Sequence, residues 1–165
     1  MKKPLVMLGV VAAGALAVKL WIGAGVDDRS ASEPGLILDR VWVDHLPSGD
    51  RDTVNAFAAV TREPIGIFQS TSQWKGSYEL FQYEASGAEL RVVFPQTGDK
   101  EKVRARAWSC KERGMDFCLE LAGSSRGVKR YHSRKGWELG TSALAAQAIA
   151  RVEAIVGAAG SASTP

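Results

Sequence analysis

Few residues in this chain could do chemistry, and each can be weighed by its spacing. There are two histidines, His45 and His132, and two cysteines, Cys110 and Cys118. Gly123-Ser124-Ser125-Arg126-Gly127 has the G-x-S-x-G spacing of a nucleophilic serine at a sharp turn, with His132 further along. That elbow works where a strand runs into a helix on a large α/β sheet, with an acid preceding the histidine in chain order. Here the pentapeptide joins two β-like segments, so the context argues against the hydrolase candidates Ser125 and His132 and for an ordinary turn. Ser72-Gln73-Trp74-Lys75 fits S-x-x-K but lacks that pattern's companion motifs. With no phosphate loop, paired-aspartate or histidine-rich motif, the sequence implies no cofactor and no metal.

Cations are more informative. Lys102, Arg104 and Arg106 alternate along one strand face, Trp108 continues that row, and Lys129 and Arg130 follow two hairpins later. Such a row is either the solvated outer face of a sheet or a docking surface for an anion: lipid headgroups, acidic polysaccharide or an acidic protein. Nucleic acid is not expected, because stacking aromatics beside the arginines would be needed and the chain reads as exported. Trp42, Trp74, Trp108 and Trp137 default to the core, where rings of that size anchor a β-domain.

The even cysteine count of an exported chain points to a disulfide, with two reduced thiols as the alternative. Cys110 and Cys118 flank a segment that reads as a hairpin tip. Directly facing cysteines would set Trp108 opposite Glu120 and Ala107 opposite Leu121. Ala105, Ala107, Leu119 and Leu121 would then share the buried face.

Positioning these residues requires a mainly β domain. Leu36 to Val43 reads as a strand, and Val54, Phe57, Ala58 and Thr61 have helical spacing behind Asp50 and Asp52, giving one short helix ended by Pro64. From Ile65 to Ser133 six strand-like runs alternate with turn signals every eight to twelve residues, the sign of an antiparallel meander, sandwich or barrel. At Ser86-Gly87 a register pairing Glu84 with Glu89 is expected. A final helix opens after Gly140-Thr141-Ser142 and stops at Gly157, leaving 158–165 as a disordered tail.

The formal charge of +3 lies wholly in the leader. Lys2, Lys3 and Lys19 precede any acid, and residues 27–165 hold 18 basic and 18 acidic groups. Within them 27–99 carry −6 (6 against 12) and 100–135 carry +7 (11 against 4). Residues 1–26 have the basic start and apolar run of an export signal, either cleaved or retained as a single membrane anchor. A linker at 27–35 would join them to a β-rich domain at 36–157. The chain is thus expected to be extracytoplasmic: periplasmic, secreted, or anchored in the inner membrane and facing outward.

A short helix, six to eight antiparallel strands and a closing helix resemble the lipocalin-like (calycin) plan, a barrel flanked by a C-terminal helix. The resemblance rests on element order; Asp39-Arg40-Val41-Trp42 has that family's tryptophan without its glycine. The functional expectation is a non-catalytic, exported β-domain, either free or membrane-tethered, that binds a ligand or envelope component through its basic face or barrel interior. The alternatives are a small hydrolase using Ser125 or His132, and an inhibitor or assembly factor displaying Arg113-Gly114-Met115.

Overall fold

The computed structural model of the chain describes residues 33–162. The expected leader at 1–26, the expected linker up to Ser32 and the last three residues lie outside the described residues. Eight strands follow in order: β1 Arg40–Val43, β2 Val54–Val60, β3 Ile65–Thr71, β4 Gly76–Ser86, β5 Glu89–Val93, β6 Lys100–Ser109, β7 Phe117–Ala122 and β8 Arg130–Ser133. Helix α1, Ala145–Ala162, closes the chain. Each strand pairs antiparallel with the next, and β8 returns to β1 through Val43 and His132. The result is a closed up-and-down barrel with no open sheet edge, an architecture compatible with the lipocalin-like plan.

The expected helix over 53–61 is instead β2. Phe57 and Ala59 point into the barrel, while Val54, Ala56, Ala58 and Val60 point out and are covered. A strand buried on both faces loses the polar alternation that reveals a strand, so its apolar residues fall on helical spacings by accident. The strand expected over 36–43 also shortens: Pro34–Leu36 form a 3-10 turn and β1 begins at Arg40. The closing helix runs through Gly157 to Ala162 rather than stopping there.

Both expected hairpin registers have the right parity and the wrong offset. At Gly87 a two-residue turn sets Ser86 opposite Glu89 and Glu84 opposite Arg91, so opposite charges meet rather than like ones. In the β6–β7 hairpin Trp108 faces Cys118 and Arg106 faces Glu120. The cysteines therefore bond diagonally, Cys110 lying beyond the end of β6, and the expected disulfide is present at an S–S distance of 2.06 Å.

The barrel is filled. Phe57, Phe68, Phe81 and Phe94 meet at centroid separations of 5.1–6.3 Å, joined by Trp42, Tyr83, Leu119 and Tyr131. Phe81 lies against Gly66, the glycine opposite it on β3, so one ring takes the space of two side chains. At one end the 33–38 segment closes the floor, with Glu33 N–H donating to Ala107 and the Trp42 indole donating to Ile37. Arg40 is buried there, 4.3 Å from the Phe117 ring and paired with Glu138. Outside, α1 lays Ala148, Val152 and Val156 over β1 to β3. No helix of the described residues is long and apolar enough to cross a membrane.

Candidate functional site

Two places concentrate polar side chains: the mouth opposite the floor, and the outward face of β6 to β8. At the mouth the 123–129 loop folds over the opening. The Arg126 guanidinium lies 4.6 Å from the Phe94 ring and reaches Asp99 (2.7 Å), Glu79 (3.2 Å) and Glu101 (3.5 Å). Hydrogen bonding from Arg126, with help from Thr97, holds the Asp99 carboxyl below the usual carboxylate range. Asp99 in turn raises Arg126. The arrangement fixes the 123–129 loop to Glu79, Asp99 and Glu101.

Ser125 belongs to this cluster. Its hydroxyl bonds to the Glu101 carboxylate and accepts from Arg126. His132 is held elsewhere, its Nδ1 3.1 Å from the Asp44 carbonyl oxygen and its Nε2 3.6 Å from a Glu112 oxygen. The two share no partner, so the G-x-S-x-G segment and the histidine do not form a nucleophile–base pair here.

The outward face of β6 does bring the expected residues together. Lys102 and Arg104 are exposed, and Arg106 and Trp108 half-buried, along one side of the strand. Across β7 and β8 one row reads Arg106, Glu120, Arg130, and the next reads Trp108, Cys118, His132. Arg106 and Arg130 each place the guanidinium carbon 5.1 Å from the Trp108 ring centre, within cation–π range. Arg130 also donates to Glu112 at 2.6 Å. Lys129, exposed, pairs its backbone with Leu121 and so has the parity of Tyr131, not of Arg130. It stands at the rim, outside the row. Among the described residues no carboxylate is ion-paired to Lys102 or Arg104. Lys102 also faces Arg91 across the strands, a like-charge pair eased by the Glu89 carboxylate 3.5 Å from Arg91. Beside them runs a groove of about 740 Å³ lined by Ile65, Val93, Arg91, Lys100 and Lys102.

The charge split thus resolves unevenly. Arg126 turns to Glu79 and Asp99 of the acidic half and to Glu101 of its own, while Lys102 and Arg104 on β6 face solvent. Of the tryptophans, Trp42 is fully buried and Trp137 is packed beneath α1, but Trp74 is 75% exposed on the β3–β4 turn. Met115, expected at a displayed tip, is instead buried against Val41, Val43 and Val152. Sequence reasoning missed Glu112 and Asp44. Glu112 lies between the cysteines, which was the one available signal; Asp44 reaches the site only through barrel closure. No family model, curated protein or solved structure matches this chain.

Proposed function

We propose that this chain is a non-catalytic, exported barrel domain that docks on an anionic lipid surface through the outward face of β6 to β8. The observation that carries the reading is Trp108 with two guanidinium groups within cation–π range of its ring, in line with exposed Lys102 and Arg104. The filled interior leaves no room for an enclosed ligand and favours a surface role. Residues two apart on a strand are about 6.8 Å apart, so the row offers evenly spaced cations to a plane of phosphates. A half-buried tryptophan suits the headgroup layer. Acidic polysaccharide is the weaker reading, because sugar stacking needs an open ring face and arginines already crowd Trp108. The disulfide is compatible with an oxidising, extracytoplasmic compartment, and the leader would bring the domain to a membrane.

The test is co-sedimentation of the full chain with vesicles of neutral and of anionic phospholipid. Each surface cation contributes about 1 kcal/mol near such a membrane. The double variant Arg104→Glu, Arg106→Glu should therefore lose at least about tenfold of the excess binding to anionic over neutral vesicles. Unchanged excess binding would sink the proposal, and retention on acidic polysaccharide alone would move it to the second reading.

A further inference from the structure

The corner behind Trp108 holds a second grouping. One ligand atom each of Glu112, Cys118 and His132 lie within 4.8 Å of one another. His132 is 4% exposed, and its Nε2 has no hydrogen-bond partner. Its Nδ1 lies 3.1 Å from the Asp44 carbonyl oxygen, which can only accept, so Nδ1 donates there and Nε2, 3.6 Å from a Glu112 oxygen, is the ring nitrogen left to face a ligand. A histidine oriented this way by a backbone carbonyl is set as a metal ligand. A buried ring nitrogen without a hydrogen bond is otherwise an unfavourable feature to keep.

We infer that reducing the Cys110–Cys118 bond converts this corner into a binding site for a zinc-class divalent metal ion. In the disulfide neither sulfur is a thiolate, the form that binds metals. A dithiol reductant would transfer two electrons, becoming a disulfide itself and leaving Cys110 and Cys118 as thiols. Each then loses a proton as the metal binds. The donors become two thiolates, one neutral imidazole and the Glu112 carboxylate, a four-ligand sulfur-rich set that suits tetrahedral zinc. With metal–sulfur bonds of about 2.3 Å, the sulfurs must separate to about 3.8 Å. Cys110 can supply that movement because it lies in the 110–116 loop beyond β6, while Cys118 is held within β7. Arg130, 2.6 Å from Glu112 and 3.7 Å from the Cys118 sulfur, favours the deprotonated ligands. The inference stands apart from the docking reading, which needs neither reduction nor metal.

Cobalt(II) alone is the probe, added to the full chain in its oxidised form and after reduction and removal of the reductant. The reduced protein should bind one equivalent with thiolate-to-cobalt charge-transfer and tetrahedral ligand-field bands, displaced by zinc. The oxidised protein should show neither. His132→Ala should weaken binding by at least about tenfold. Glu112→Gln, on an exposed loop side chain, should do likewise and covers the case in which His132→Ala fails to fold. Absence of the bands in the reduced protein, equal affinity in the variants, or loss of the near-ultraviolet circular dichroism of the barrel on reduction would each overturn the inference.

Discussion

Gly127 holds its backbone at φ +66°, and a Cβ there would lie 2.1 Å from the Tyr131 hydroxyl and 2.7 Å from the Phe68 ring. Tyr131 needs that approach, because its hydroxyl accepts the Val128 N–H from the same loop. Gly87 shares the left-handed conformation, φ +60°, but has nothing within 4 Å of the same position. The pair separates two effects. Gly87→Ala should cost about 1–2 kcal/mol, the penalty of a left-handed side chain alone. Gly127→Ala should cost clearly more and loosen the mouth loop. Urea unfolding of the two variants measures the difference, and equal costs would mean that the loop does not seat on Tyr131.

At the scale of elements, α1 is what makes β2 a doubly buried strand. Val152 is 1% exposed against Val41, Val43, Val54 and Ala56, and the neighbouring Glu153 is exposed. Removing two methyl groups in Val152→Ala should cost about 2 kcal/mol, transfer and cavity together. Glu153→Ala should stay within about 0.5 kcal/mol. Denaturation midpoints at constant slope would show this, whereas a silent Val152→Ala would mean that α1 does not dock on the barrel. The same contacts explain the misreading of 53–61: Ala56 and Ala58 are apolar because a helix lies on them, and nothing within ten residues announces that helix.

For the whole molecule, stability should fall at both extremes of pH for separate reasons. Asp52 is drawn down from 3.8 to about 2, first by the Ser48 backbone N–H, then by the Ser48 hydroxyl and His45. A depressed acid stabilises the fold above its unfolded value, so this contribution is present above pH 3.8 and is lost as pH falls toward about 2. Asp52→Asn should flatten that part of the acid limb. Tyr83 and Tyr131 are raised from 10 to about 12, chiefly by burial. Raised groups contribute below the unfolded value, and that stability is lost as pH climbs from 10 toward 12. The tyrosinate absorbance of Tyr83 and Tyr131, followed in a Tyr78→Phe background, should therefore lag until the barrel unfolds. Phenolate of Tyr83 and Tyr131 appearing near pH 10 with the fold intact would contradict the buried placement.

Alternation and turn chemistry from Ile65 onward, together with the cysteine count, are local quantities. They sufficed for the later strands, for a disulfide, and for the parity that puts Lys102, Arg104, Arg106 and Trp108 on one outward side. Parity survives because a one-residue slip would turn every buried side chain to solvent. An offset of two leaves the faces unchanged, so both expected hairpin registers kept their parity and missed the offset that turn geometry sets. Closure, a filled interior and the convergence of Asp44, Glu112, Cys118 and His132 belong to the tertiary structure alone. They join residues far apart in the chain, 88 positions in the case of His132 and Asp44, through β1 meeting β8, a pairing no local pattern encodes.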